Sequence, residues 1–104
     1  MQSSGWKIQM LIIKMEIKYS SQFSKRYKKS PSKIKLAFRE TLELFVENPS
    51  NPSLRNHALK EEFVGYRSID VTDDWRALFK EKVSGAKKIV TFHLIGTHDQ
   101  LYGK

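Results

Sequence analysis

The hydrophobic and polar residues of this 104-residue chain follow two different periods, one helical and one typical of strands. From Met15 to Ser20 apolar and polar residues alternate, which predicts a first strand. Ser20 or Ser21 then has the kind of side chain that caps a helix. In the short helix predicted to follow, Phe23 and Tyr27 lie four positions apart and therefore share one face.

A longer helix is predicted after a break at residues 28–33. Ser30 followed by Pro31 is favourable chemistry for an N-cap and a first helical position. The apolar positions beyond them recur at helical spacing, namely Ile34, Ala37, Phe38, Thr41, Leu42 and Phe45. The helix should end near Asn48, because the prolines of the following NPSNPS stretch cannot continue it.

From Tyr66 onward the hydrophobic period becomes two, which predicts three strands. They are Tyr66–Val71, Trp75–Val83 and Lys87–Gly96, joined by short TDD and SGA turns. The predicted order is therefore β-α-α-β-β-β. This order indicates an α+β fold, a small and mainly antiparallel sheet with a two-helix layer on one face.

Residues 1–14 are interpreted as an N-terminal extension, either appended or read from an upstream start, ahead of a single domain at residues 15–104. The alternative is that the apolar patch Ile8–Ile13 lengthens the first strand. That patch is far shorter than the roughly 20 residues that a membrane-spanning helix needs, so we expect no membrane association. The absence of cysteine excludes a disulfide framework and suits a cytoplasmic protein.

The charge of the chain indicates a polyanionic partner. There are 19 basic residues and 11 acidic ones, which gives a net charge of +8. Eight of the basic residues, and no acidic residue, lie between Ile17 and Arg39. Such a run is either a solvated helix face or a stripe that follows a phosphate backbone. Lys28, Lys29 and Lys33 are its candidate RNA contacts.

Candidate catalytic groups are scattered along the second half of the chain. His57 lies in the loop after the long helix, and His98 and Tyr102 follow the last strand. A hairpin across TDD should bring Asp70 and Asp74 into one neighbourhood. Histidine is suited to acid–base work because its unperturbed pKa lies near neutral pH.

None of these residues forms a specific motif alone. The chain has no glycine-rich phosphate loop, nucleophile elbow or metal-ligand spacing. A metal site made from two histidines and two aspartates would draw its ligands from three separated segments. Packing explains His93, inside the last strand, better than function does. Trp75 is likewise interpreted as core or rim packing, with stacking on a base as the less favoured alternative.

In combination, however, two segments resemble the RelE/ParE superfamily of bacterial toxins, and within it the YafQ-like branch. The segments read HALKEEFVGYRSIDVTDDWRALF and IGTHDQLYG. The shared signature is GYRS, then DWR after a short spacer, then GTH with an aromatic residue before the final glycine. The resemblance covers residues 15–103 and agrees with the predicted element order.

This resemblance implies a ribosome-dependent endoribonuclease that cuts messenger RNA by 2′-hydroxyl attack. It also implies that the reaction needs no metal or other cofactor, and that an acidic antitoxin protein inhibits the enzyme. By position it implies catalytic roles for His57, Asp70, Asp74, Arg76, His98 and Tyr102. The implied RNA-binding residues are Trp75, Arg67 and Lys60, beside the three helical lysines. Asp70 departs from the pattern, which has a histidine there, and so places more weight on His57 and His98.

Two other functions remain open at this point. ParE-type relatives share the fold but poison DNA gyrase, and an inactive relative would only bind its antitoxin. The gyrase poisons lack the acid–base residues, so the two histidines favour the ribonuclease.

Overall fold

A five-stranded sheet organises the computed structural model, which describes residues 14–103. Its strands are β1 (Lys14–Tyr19), β2 (His57–Ala58), β3 (Arg67–Asp70), β4 (Trp75–Ser84) and β5 (Lys87–Thr97), in the spatial order β1-β5-β4-β3-β2. The helices are α1 (Ser21–Lys29), α2 (Ser32–Glu47) and the short α3 (His98–Tyr102), and 3-10 turns at Pro52–Leu54 and Glu61–Phe63 flank β2. β1 pairs with β5 in parallel and the other pairs are antiparallel, so the predicted fold class is confirmed.

Aromatic side chains hold α1 and α2 on one face of the sheet. Phe23 of α1 and Phe38 and Phe45 of α2 are buried against Phe79 and Phe92 of the central strands. The ring of Phe92 lies 5.4 Å from that of Phe38 and 5.3 Å from that of Phe79. Burying one such side chain contributes roughly 1.5–3 kcal/mol, which makes this aromatic cluster the main tie between the two layers.

Strand alternation gives the sheet two distinct faces. Ile69, Ala77 and Phe79 are fully buried in the core beneath α1 and α2. Side chains point alternately to opposite faces along a strand, so Ser68 and Arg76 point away from the helices. We call the face opposite α1 and α2 the far face.

A bulge in the β4–β5 ladder determines where His93 lies. Leu78 pairs with Leu94 but Phe79 pairs with Phe92, which leaves His93 without a ladder partner. The extra residue lets both Phe92 and Ile95 reach the core. His93 turns to the far face, where its partial burial, and next the nearby charge of Lys80, lower the pKa of its imidazole.

One predicted helix cap is wrong. Ser30 ends α1 instead of beginning α2, because its N–H donates to the Tyr27 carbonyl and its hydroxyl donates to the Arg26 carbonyl at 2.9 Å. The first turn of α2 is built on Pro31, whose carbonyl accepts from the N–H groups of residues 34 and 35. The buried face predicted for this helix is confirmed.

The boundary predicted after residue 14, between the N-terminal extension and the domain, lies at the edge of the described residues. Lys14 belongs to β1, whereas Ile8–Ile13 and the rest of the predicted extension lie outside the described residues. Within residues 14–103, no helix has the length and apolar character needed to cross a membrane.

Candidate active site

A cleft on the far face gathers side chains from four separate segments of the chain. Its lining residues are Arg55, His57, Leu59, Ser68, Arg76, His98 and Tyr102. Four of the six predicted catalytic residues are among them, although these four lie far apart in the sequence. They are His57, Arg76, His98 and Tyr102. The fold therefore brings together two histidines, a tyrosine and two arginines.

Strand β2 positions His57 at the mouth of this cleft. His57 pairs with Ser68 in the β2–β3 ladder, and its ring is exposed. The Nδ1 atom lies 2.7 Å from the carbonyl oxygen of Arg55. Because a carbonyl can only accept, Nδ1 carries the proton in this hydrogen bond. In the neutral imidazole Nε2 is therefore the hydrogen-bond acceptor of the ring.

The short helix α3 positions His98 and Tyr102 as neighbours. Thr97 and Gln100 form a capping box, in which the Gln100 N–H donates to Thr97 Oγ1 at 3.0 Å and the Thr97 N–H donates to Gln100 Oε1 at 2.8 Å. His98 and Tyr102 lie four residues apart on one helical face, with ring centroids 4.7 Å apart. The His98 N–H donates to the Asp74 carbonyl at 2.8 Å, which ties α3 to the β3–β4 turn.

Gly96 allows α3 to pack closely on the end of β5. A Cβ atom at this position would lie 2.9 Å from Gln100 Oε1 and 3.2 Å from Arg26 Nη1. Arg26 also donates to the Ile95 carbonyl at 3.3 Å, so its guanidinium is held there. Gly96 and Thr97 of the GTH motif therefore fix the position of α3, and with it the position of His98.

Asp70 joins the two arginines of the cleft. Its Oδ2 accepts a hydrogen bond from Arg55 Nε at 2.8 Å. Its Oδ1 lies 3.1 Å from Arg76 Nε, an ion pair outside hydrogen-bonding geometry. Asp70 itself does not line the cleft, and it faces Arg76 across the β3–β4 ladder instead of Asp74, the neighbour predicted for it.

Arg76 also closes the turn between β3 and β4. Its Nη1 lies 2.9 Å from the Thr72 carbonyl and 3.0 Å from the carbonyls of Asp73 and Trp75. Only 12% of the Arg76 side chain is exposed. Sequence reasoning assigned this arginine to chemistry alone, and its role in holding the turn was missed.

Three further lining residues were not predicted from the sequence, namely Arg55, Ser68 and the apolar Leu59. Arg55 adopts a left-handed backbone conformation (φ 47°, ψ 46°), and 67% of its side chain is exposed beside the cleft. Ser68 is fully buried, and its hydroxyl has no hydrogen-bond partner among residues 14–103. Arg55 could have been identified from the sequence as a basic residue two positions before His57, whereas nothing in the sequence distinguished Ser68.

Two residues predicted to contact RNA lie on the face of the sheet opposite the cleft. Trp75 packs against the core with Ala77, so its ring does not line the cleft. Arg67 points to the same face, where it donates to Asn56 Oδ1 at 2.9 Å and lies 3.9 Å from Glu81. Neither side chain therefore lines the cleft, which lies on the far face.

The other predicted residues lie around the cleft or away from it. Asp74 is exposed in the β3–β4 turn. Lys60 lines an adjoining cleft that shares His57 and Tyr102. Lys28, Lys29 and Lys33 are exposed in the helical layer, on the side of the sheet opposite the cleft. Among the described residues, no three His, Asp or Glu side chains are grouped so as to hold a metal ion.

Comparison with known proteins identifies a family. Residues 15–103 match the family model described as "Bacterial toxin of type II toxin-antitoxin system, YafQ". The chain is 31% identical over 96 residues to the mRNA interferase toxin YafQ of Escherichia coli (strain B / BL21-DE3), a match that covers 88% of this chain and 100% of that one.

Solved structures share the fold. The crystal structure of YafQ from E. coli BL21(DE3) matches with a TM-score of 0.62 and 30% identity, over 86% of this chain and 100% of that chain. The E. coli DinJ–YafQ toxin–antitoxin complex gives a TM-score of 0.68 and 27% identity, over 88% and 100%. A YoeB/ParE toxin from Agrobacterium tumefaciens, at 15% identity, shares the fold with a TM-score of 0.66 over 81% and 99%.

Proposed function

Since this chain belongs to the YafQ family of bacterial toxins from type II toxin–antitoxin systems, we propose that it is an mRNA interferase that cleaves messenger RNA on the ribosome. The observation that carries the proposal is the meeting of His57, His98 and Arg76 around one cleft. These side chains supply a base, an acid and a cation, which are the three groups that cleavage by a ribose hydroxyl requires.

The proposed reaction is an attack of the ribose 2′-hydroxyl on the adjacent phosphorus. A base removes the 2′ proton while the new O2′–P bond forms. The P–O5′ bond breaks, and an acid donates a proton to the departing 5′ oxygen. The products are a 2′,3′-cyclic phosphate and a free 5′-hydroxyl, so the reaction uses only protein side chains and the RNA itself.

His57 is the proposed base and His98 the proposed acid. The Arg55 carbonyl accepts a hydrogen bond from Nδ1 of His57, which leaves Nε2 as the nitrogen that can accept the 2′ proton. His98 is anchored by α3, and the adjacent Tyr102 ring restricts the orientation of its imidazole. This assignment makes the two histidines act on opposite sides of the scissile phosphate.

Arg55 and Arg76 are the proposed partners of the phosphate. Guanidinium groups are permanently charged, and their planar donors match phosphate oxygens. In this proposal Asp70 is a positioning residue, because its carboxylate touches both arginines. Asp74 is likewise proposed to act by position, through the backbone carbonyl that accepts from His98.

A cognate acidic antitoxin is the proposed protein partner. The E. coli relative YafQ is known in a toxin–antitoxin complex with DinJ. The net charge of +8 on this chain favours a partner of opposite charge.

The helical lysines are proposed to dock the toxin on ribosomal RNA. Reversing Lys28, Lys29 and Lys33 to glutamate should weaken co-sedimentation with ribosomes, since fewer phosphates are neutralised. The salt slope, which is the slope of log K against log salt concentration, should fall by up to about 0.9 for each phosphate that is no longer neutralised. The folded protein should keep its thermal stability because all three side chains are exposed. Unchanged co-sedimentation at every salt concentration would identify the run as a solvated helix face.

The proposed function is tested by mapping RNA 5′ ends shortly after induction of the toxin. Ribosome-dependent cleavage should give discrete cuts in reading frame within translated messages. Intact messages accompanied by a DNA-damage response would instead indicate a gyrase poison.

A further inference from the structure

A row of aromatic rings leads from the candidate active site across the far face. The row consists of His98, Tyr102, Phe63, Tyr66 and His93 in spatial order. Successive ring centroids lie 4.7, 5.6, 6.0 and 5.6 Å apart. Neighbouring rings meet edge to face, at 64° to 88°. Because His98 is exposed and the other four are half-buried, each ring reaches the surface along this aromatic row.

Lysines border the end of the aromatic row farthest from the cleft. Lys80 Nζ lies 4.6 Å above the ring of Tyr66. Lys18, Lys80 and Lys82 line one shallow depression together with His93. Strand pairing explains the cluster, because residue 91 of β5 lies between residue 18 of β1 and residue 80 of β4 in the sheet. This end of the far face therefore presents three ammonium groups beside aromatic rings.

The carboxylates of this region are already paired. Glu16 accepts a hydrogen bond from Lys87 at 3.0 Å and lies 3.8 Å from Lys18. The Lys87 hydrogen bond and charge lower the pKa of the Glu16 carboxyl. Glu81, which also lines the depression, lies 3.2 Å from Lys88 Nζ. Neither carboxylate offsets Lys80 or Lys82 directly, so the depression keeps its positive character.

We propose that the far face is a track for single-stranded RNA that continues from the cleft, with bases on the aromatic row and phosphates at Lys18, Lys80 and Lys82. Surfaces that bind single strands combine aromatic platforms with a cationic groove, and this face has both in one line. The track rests on the proposed ribonuclease function, since its RNA is the strand that the cleft cuts. It would hold the nucleotides on one side of the cut.

The track is tested by the binding of uniformly 2′-O-methylated RNA oligonucleotides, which lack the attacking hydroxyl and stay intact. Fluorescence anisotropy over a salt series would compare the wild type with Lys80→Gln/Lys82→Gln and with Tyr66→Ala. The double lysine variant should bind roughly 10-fold more weakly, and its salt slope should fall by about 1.4, or 0.7 for each phosphate. Tyr66→Ala should lose on the order of 10-fold in affinity with the salt slope unchanged.

The matched control is Lys25→Gln/Lys35→Gln, which removes the same charge from the helical layer at positions other than Lys28, Lys29 and Lys33, the lysines proposed to dock on ribosomal RNA. Its affinity and salt slope should stay close to those of the wild type. Equal losses in the control and the far-face variant would overturn the track, as would no loss in either far-face variant or no binding of RNA by the wild type. Weaker binding of a purified antitoxin, with RNA binding intact, would also overturn it by identifying a protein-docking face.

Cleavage of an unmodified message by the same wild-type preparation separates the two proposals. Selective loss of RNA binding in the far-face variants supports the track even if the wild type cleaves nothing, in which case only the ribonuclease proposal fails. Normal cleavage together with unchanged binding in those variants removes the track and leaves the ribonuclease. The lysine variant is the safer test because Lys80 and Lys82 are exposed, whereas Tyr66 contributes packing to its neighbours.

Discussion

Replacing His98 by alanine should lower the single-turnover cleavage rate by roughly 100- to 10,000-fold, the range that general acid–base catalysis contributes. His57→Ala should have an effect of the same order. The His98 side chain is 50% exposed and His57 is also exposed, so neither substitution leaves a core cavity and thermal unfolding should stay nearly unchanged. The measurement is cleavage of a message on programmed ribosomes with the toxin in excess.

The pH dependence of the same reaction distinguishes the roles of the two histidines. The wild type should follow a bell-shaped profile. His57→Ala should remove the acidic limb, since that limb reports deprotonation of the base, and His98→Ala should remove the alkaline limb. The double variant should be scarcely slower than the slower single variant, because residues that act as a unit are not additive. Parental rates in both single variants, with a defective Asp74→Asn, would show that the histidines are bystanders.

Arg76→Ala should impair both cleavage and stability. Loss of a donor to the transition state costs on the order of 100-fold in rate. Loss of the guanidinium also leaves the turn carbonyls without their donor and removes one of the two arginines that contact Asp70, which should lower the unfolding free energy by about 1–3 kcal/mol. Arg76→Lys should be intermediate, because it keeps the charge but cannot form the planar fork. Chemical denaturation and single-turnover cleavage measure the two effects separately.

Arg55→Ala is the matched comparison for Arg76. Its side chain is mostly exposed and, within residues 14–103, donates only to Asp70, so its removal should lower the rate with little loss of stability. A folded Arg76→Ala protein that cleaves at the wild-type rate would remove Arg76 from the site. A normal rate in Arg55→Ala alone would assign the phosphate to Arg76 without help from Arg55.

Elements long enough to show a hydrophobic period could be predicted from the sequence. The six apolar positions of α2 and the alternation in β3, β4 and β5 define the layers and the core. β2 and α3, of two and five residues, are too short to show a period. Their positions depend on ladder pairing and on the Thr97 cap. The bulge that turns His93 to the far face likewise depends on how the long strands pair, which a single strand's pattern does not reveal.

At the site, the structure agrees best with the expectation that the separate motifs of the family signature lie close together in space. His57, Arg76, His98 and Tyr102 do meet, as the resemblance implied. Strand alternation already grouped Trp75 with Ala77 and Phe79, on the core face, and the structure follows that pattern. The resemblance nevertheless predicted that Trp75 contacts RNA. The pattern of alternation was the better guide to orientation, because a side chain's face is fixed by its strand.

We propose that this cleft cuts RNA with the ribose 2′-hydroxyl as the nucleophile. The most direct test uses programmed ribosomes with two messages that differ only by a 2′-hydroxyl or a 2′-hydrogen at the mapped cleavage position. The unmodified message should be cut to a 2′,3′-cyclic phosphate and a 5′-hydroxyl, and the 2′-deoxy message should remain intact at that position. Cleavage of both messages at the same rate, or a 5′-phosphate on the downstream product, would contradict the proposed chemistry.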